Sequence, residues 1–419
     1  MLKSGSIFVA LCASTMFALV LCQPALAASS SNKSPTHYSL SSWVSQVLLH
    51  NPQLQAAQAA IDAAEGRIRS ADRSSFSPEL QLDFEHTETN TRSAGVSQTL
   101  DWSNKREART AVAEFERKAV VAEYSDVRQR VASELLRAIA QGNTVRSIAT
   151  ASEKQVALMD RFVSLAERRR RAGDLDQIDL DLAHLAASAA AFQKSQADTE
   201  LIRSDQIVAS LTGETGAAYP EFPDPLPAIN EQQIEFEKRL SNLPSIKITQ
   251  ARIEAARAGV KLSIREKKAD PTIGIRVGKE DSETLAGLTF SIPLFASNRY
   301  KAEEDIANAG VVQASNEAAN LRHKARAEIQ ASARIYENAR STWAAWQTSG
   351  ARHLTQRTNI LNQLWQTGEL SPADYLVQLQ QTLETEISAI EQRGRMWKAW
   401  VGWLAASGQI ENWLAGDKR

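Results

Sequence analysis

The feature that most restricts how this chain can fold is that it is one unit written twice. Asn51-Pro52, ahead of an Ala-rich stretch, reappears as Leu243-Pro244, and Ser77-Pro78 reappears as Asp270-Pro271. Leu100-Asp101-Trp102-Ser103-Asn104-Lys105 aligns with Leu294-Phe295-Ala296-Ser297-Asn298-Arg299. Ala172-Gly173-Asp174-Leu175 aligns with Thr367-Gly368-Glu369-Leu370. The four offsets are 192, 193, 194 and 195 residues. So constant a shift across separate landmarks marks an internal duplication, and each half must repeat one architecture.

Within a half the periodicity changes twice. Ala56 to Arg73 is Ala-rich and free of Pro, which predicts helix. After Pro78 the apolar residues alternate: Leu80, Leu82 and Phe84, then Val96, Leu100 and Trp102. In the second half Ile273, Ile275 and Val277 alternate, followed by Leu288, Phe290, Ile292 and Leu294. Period two predicts a β-hairpin with one apolar face in each half, over about 79–102 and 272–295. A small soluble sheet would show the same pattern. Strands of about 9–11 residues, however, are what a membrane crossing needs.

Helical patterning then returns. From Asn104 to about Arg168 there is no Pro and one Gly. That stretch would reach about 100 Å as helix. Its counterpart covers about 298–366, where Leu321, Ala325, Ile329, Ala333, Tyr336, Ala339, Trp343 and Trp346 step by four or three. This is the narrow seam of a coiled coil rather than the broad face of a globular helix. Turns at Gly173 and Gly368 send the chain back through shorter helices, about 178–211 and 373–407. The expected organisation is a first repeat over 28–213, a Pro-rich connector over 214–229, a second repeat over 230–407 and a tail over 408–419.

Residues 1–27 predict a secretory signal peptide: Lys3, the apolar run Ile7–Leu21, and Ala25-Leu26-Ala27 before a cleavage site after Ala27. Acylation of Cys22 is the weaker alternative, because Leu21 is bulky for the residue before a lipidated Cys. Both Cys fall in the first 22 residues, so no disulfide framework is expected afterwards. With 48 Lys+Arg against 49 Asp+Glu there is no basic surplus for nucleic acid. No nucleophile elbow, P-loop, HExxH or cysteine nucleophile is present, so no enzyme activity and no cofactor are expected. His37, His50, His86, His184, His323 and His353 are scattered without ligand spacing, so no metal site is expected.

No other segment has 18 consecutive apolar residues, so any further membrane crossing would have to come from strands. Four strands cannot close a barrel, and a lipid-exposed sheet edge leaves backbone groups unpaired at several kcal/mol each. Three copies would bring twelve strands, within the known barrel range.

The order helix, hairpin, long helix, Gly turn and return helix, written twice, resembles the TolC-like outer-membrane efflux proteins over essentially the whole mature chain. The matching residues are Leu40-Ser41-Ser42-Trp43 with Asn51-Pro52, Ile292-Pro293-Leu294-Phe295, and the Gly turns followed six residues later by Asp179 and Asp374. Ser97-Gln98-Thr99-Leu100-Asp101 with Lys105-Arg106, and Pro293-Leu294-Phe295 with Asn298-Arg299, look most like the heavy-metal CzcC-like branch. The resemblance implies a mainly α fold with a membrane β-barrel: a homotrimer whose twelve-stranded barrel continues as a twelve-helix periplasmic tunnel. It implies a passive duct in the lipid of a Gram-negative outer membrane. The duct would dock on a periplasmic adaptor (membrane fusion) protein and an inner-membrane efflux pump, and would open by dilating its tip. Drug efflux and type I protein secretion are the alternative duties. From another class, a periplasmic coiled-coil adaptor or scaffold would share the signal peptide and the helical hairpins.

By the same resemblance Asp374 matches a constriction aspartate, and three copies of it would ring the tunnel with carboxylates. Asp179 matches a tip aspartate. For both, a helix-start Asp favoured by the helix dipole is the plain alternative. Two departures stand out: the family's second constriction carboxylate is Val377 here, and its tip Arg is Leu370. The closed-state lock would then use other groups, with Arg168–Arg171 as one candidate. A solvated face or helix-end cations is the simpler reading of that basic run, and an adaptor-docking patch the other. Gly173, Leu175, Gly368, Leu370 and Ser371 match turn residues that contact the adaptor, with ordinary turn chemistry as the alternative. Trp397, Trp400 and Trp403, spaced by three, predict a packed helix face. Trp102 and Phe295 would close their strands as an aromatic girdle.

Overall fold

A computed structural model describes residues 39–88, 90–216, 218–229, 235–294 and 299–416. The signal-peptide reading with Ala27, and Phe295 and Asn298, lie outside the described residues. The first repeat contains α1 (Leu40–His50), α2 (Pro52–Ala71), β1 (Glu79–His86), β2 (Asn90–Thr99), α3 (Lys105–Ala172) and α4 (Gln177–Thr212). The second contains α5 (Phe236–Asn242), α6 (Pro244–Glu266), β3 (Thr272–Glu280), β4 (Glu283–Ser291), α7 (Arg299–Ala345), a π-turn (Trp346–Gly350), α8 (Ala351–Thr367), α9 (Pro372–Ala406) and α10 (Ile410–Gly416). The periodicity-derived order is therefore present twice. Two expectations need correction. The second long helix is not one continuous α-helix over 298–366, because the π-turn interrupts it. The tail over 408–419 includes a helix, α10, held by the buried Ile410 and Leu414.

Local chemistry sets the boundaries. Asn51 caps α2, its Oδ1 accepting the Gln53 N–H at 2.9 Å, and Pro52 occupies the first helical turn, where a missing N–H costs nothing. Asp101 starts α3 by accepting the N–H groups of Lys105 and Arg106 at 2.8 and 2.7 Å. Beside it the Lys105 ammonium is buried against Asp270 at 2.7 Å and donates to the Lys268 carbonyl at 2.6 Å. This pair ties the head of α3 to the lead-in of β3, so the two repeats are joined where sheet gives way to helix.

The helices share two separate cores. The larger lies midway and gathers α1, α3, α5, α6, α7, α9 and α10 around Leu135, Leu136, Ile139, Ile329, Tyr336, Trp397, Trp400 and Trp403. The three Trp do form a packed face, each at most 4% exposed. Residues 218–229 lie across them without regular structure. Phe222 stacks on Trp397 at 5.4 Å, and the Tyr336 hydroxyl donates to the Pro227 carbonyl at 2.6 Å. The single Gly of α3, Gly142, sits where a Cβ would meet the Tyr219 hydroxyl at 2.0 Å, so the connector needs that gap. The smaller core lies at the far end of the hairpins, where α3 and α4 meet α8 and α9.

Candidate functional site

Two regions hold the residues singled out by the sequence: the sheet, and the hairpin ends at the smaller core. The strands form one antiparallel sheet in the order β1-β2-β3-β4, so a single chain gives an open sheet with two unpaired edges rather than a barrel. Register places Leu80, Val96, Ile275 and Leu288 in one row across all four strands, and Leu82, Ala94, Val277 and Ala286 in another. Leu80, Phe84, Ile275, Leu288 and Phe290 are 60–84% exposed, so nothing in the protomer covers this face. The opposite face alternates in the required sense: Gln81, Gly95, Arg276 and Gly287 form one row, and Glu79, Ser97, Gly274 and Thr289 another. A Cβ at Gly278 would meet the Arg92 carbonyl oxygen at 2.3 Å, so this face curls too tightly there for a side chain. An exposed apolar face backed by a face of polar and small residues, on strands of 8–10 residues, is not the pattern of a soluble sheet, whose apolar face is covered. Among the described residues no helix is long and apolar enough to cross a membrane.

At the hairpin ends α3 and α8 finish alike. Gly173 and Gly368 take φ of 86° and 82°, conformations that a Cβ would strain. The Asp174 N–H donates to the Arg169 carbonyl at 2.9 Å, and the Glu369 N–H donates to the Leu364 carbonyl at 3.0 Å, closing both helices. The return helices start on side-chain caps. Asp176 accepts the Asp179 N–H at 2.8 Å. Ser371 accepts the Asp374 N–H at 3.1 Å while its hydroxyl donates to Asp374 Oδ2 at 2.7 Å. Asp374 is exposed and Asp179 half-buried, both in the first turn of their helices.

Leu175 is corrected: expected to face an adaptor, it is only 8% exposed and packs inward in the smaller core. Leu370 packs partly against the same core, whereas Gly173, Gly368 and Ser371 stay on the surface. An aromatic trio fills that core. Phe162 lies 4.8 Å from Trp365 and 5.2 Å from Tyr375, and Trp365 lies 5.4 Å from Tyr375, ring centre to ring centre. The Tyr375 hydroxyl donates to Asn362 Oδ1 at 2.7 Å, and burial pushes its pKa up to about 12.

One member of the basic run does something the other three do not. Arg168, Arg170 and Arg171 are exposed, but Arg169 reaches across from the first hairpin to the second. Its Nη2 donates to the Trp365 carbonyl at 2.7 Å and to the Gln366 carbonyl at 3.4 Å, and its guanidinium lies 4.4 Å over the Trp365 ring. Arg169 thus joins the hairpins without a carboxylate. The run suggested a lock, but neither the member nor its acceptor was legible, because backbone carbonyls leave no mark in sequence. Among the described residues no group of His, Cys, Asp or Glu could hold a metal ion.

Comparison with known proteins agrees with this geometry. The model of the outer membrane efflux protein family matches residues 43–214. No curated protein matches the chain by sequence. Among solved structures, the fold is shared with the outer membrane protein VceC of Vibrio cholerae (TM-score 0.72, 17% identity, 88% of this chain and 98% of that one). It is shared too with the CmeC outer membrane channel of Campylobacter jejuni (0.72, 14%, 91% and 90%). A third is the open state of the MtrE outer membrane channel of Neisseria gonorrhoeae (0.69, 14%, 88% and 88%). The family model thus covers the first repeat, and the solved structures share the fold across both repeats.

Proposed function

We propose that three copies of this chain pair edge to edge, β4 of one with β1 of the next, and close a twelve-stranded barrel in a Gram-negative outer membrane. The helical hairpins continue that barrel as a periplasmic duct. The observation that carries this reading is the sheet: an uncovered apolar face, a polar Gly-rich face, and two free edges. Nine large apolar side chains stand on the uncovered face of β1–β4, and moving them out of water favours insertion by on the order of 10 kcal/mol per chain.

The duct is passive and not an enzyme. An adaptor and an energised inner-membrane pump, both implied by the family resemblance, would deliver its cargo. Metal cations are the cargo favoured by the strand-exit motifs and by Asp374, whose exposed carboxylate would repeat three times around an axis. Arg169 holds the resting tip shut in this reading, taking the place of the missing Arg at Leu370. Gly173, Gly368 and Ser371 form the surface offered to the adaptor.

Reconstitution into planar lipid bilayers tests the reading. The detergent-purified protein is expected to conduct ions. Ile275→Arg, in the middle of the apolar band, should weaken insertion by about 2–4 kcal/mol per copy at mid-membrane and lower the yield of channels accordingly. No conductance from the unaltered chain, with the protein soluble without detergent, would favour the scaffold reading instead.

A further inference from the structure

The duplication slips by one residue inside the second long helix. Gly173 lies 69 residues beyond Asn104, whereas Gly368 lies 70 beyond Asn298. A helix absorbs one extra residue without rotating everything after it only by widening one turn into an i→i+5 loop. The π-turn does this: the Ala351 N–H donates to the Trp346 carbonyl, whereas α3 runs unbroken through the corresponding stretch.

The turn is built to be soft. Gly350, a poor helix former, lies beneath the Trp346 indole, where a Cβ would meet the ring at 2.2 Å. The Thr348 and Ser349 hydroxyls donate to the carbonyls of Ala344 and Ala345 at 2.9 and 3.2 Å, an arrangement that bends helices. The turn also lies between the two cores and belongs to neither. The larger core ends on α7 near Trp343 and the smaller begins on α8 at Leu361. Within the protomer no residue of 341–360 on this arm, and none of 383–393 on α9 opposite, is buried. The corresponding part of α3 buries Ala149, Ala151, Ser152, Met159 and Phe162. Gln347, donating to Asp224 at 3.3 Å, fixes the upper side of the turn to the connector.

We infer that this one-residue insertion is a hinge, about which α8 and the start of α9 swing against the first hairpin when the tip opens. The inference rests on the duct reading of the tip. Gly350 to Gly368 spans about 27 Å of helix, so a bend of about 20° moves the second hairpin's end by about 9 Å.

Spin labels at Asp174→Cys and Glu369→Cys, one on each hairpin end, read that movement within one chain. The full-length protein in lipid is compared with and without deletion of Gly350, both in an Arg169→Ala background that frees the tip. With the π-turn intact, a second distance population about 9 Å from the first is expected. With Gly350 deleted, the helix closes up in register and the first population alone should remain. Equal distributions in the two, whether both narrow or both broad, would overturn the hinge. Deletion of Ser349 provides an independent variant. If neither deletion gives folded protein, the single-insertion origin is wrong and the hinge falls with it. A chain that proves monomeric would defeat the duct reading, but the label pair would still report on the hinge.

Discussion

Replacing Arg169 by Ala removes a cationic side chain that spans the two hairpin ends. What is lost is a charge-assisted hydrogen bond at 2.7 Å, a longer one at 3.4 Å and a guanidinium stacked 4.4 Å over an indole. A hydrogen bond to a charged group contributes about 1.5–3 kcal/mol and a partly exposed cation–π contact about 0.5–1 kcal/mol. Arg169 is half-buried, so about 2 kcal/mol per chain is a fair total. One released tip shifts its closed-to-open ratio by about 30-fold, and three released together by about 10⁴-fold. Single-channel recording should therefore show Arg169→Ala mostly open where the unaltered protein is mostly closed. Arg169→Lys, which keeps the charge but not the planar fork, should fall between. Arg168→Ala and Arg170→Ala should leave gating unchanged. If they open the channel as much as Arg169→Ala does, bulk repulsion in the run controls the tip and the clasp has no special part.

Three further outcomes follow from the same structure. Gly278→Val should prevent assembly of the sheet, because its side chain would be driven into the Arg92 carbonyl; heat-resistant oligomers on gels report this. Lys105→Met should destabilise the folded chain by about 3–5 kcal/mol in denaturant titrations, since it leaves Asp270 buried without its partner. Tyr375 stays neutral in the folded tip while an unfolded Tyr ionises near 10, so the tip's stability is full below pH 10 and is lost progressively as the pH rises towards 12. Tyr375→Phe should remove that alkaline loss, measured as tip-label mobility against pH.

Much of the architecture was legible because duplication, period-two runs and Pro/Gly punctuation are all written in residue types. Gly173 and Gly368 announce their turns through their own chemistry. The alternation of Leu80, Leu82 and Phe84 fixed which face of the sheet is apolar, and the register later aligned it with Val96, Ile275 and Leu288. Less was legible at the tip. Leu175 matches an adaptor-contact position in the family, yet it packs inward, since a turn residue's direction depends on the neighbouring hairpin. The seam through Trp343 was continued to Trp346, but packing stops there because the helix changes step. The slip from 194 to 195 residues already held that information, as a single extra residue between two landmarks. Arg169 could not be separated from its three neighbours, because its partners are carbonyl oxygens that every residue carries.

Closure between copies is open to direct chemical measurement. Cysteines placed in pairs along β1 and β4, at positions such as Gln81 and Thr289 and their neighbours two residues away, can be oxidised in native outer membranes and resolved by mass. Edge-to-edge pairing around a ring should give a covalent ladder that ends at three chains, with alternate positions reacting as strand register requires. No cross-linking between β1 and β4 at any position, or a ladder that stops at two or runs past three, would contradict it.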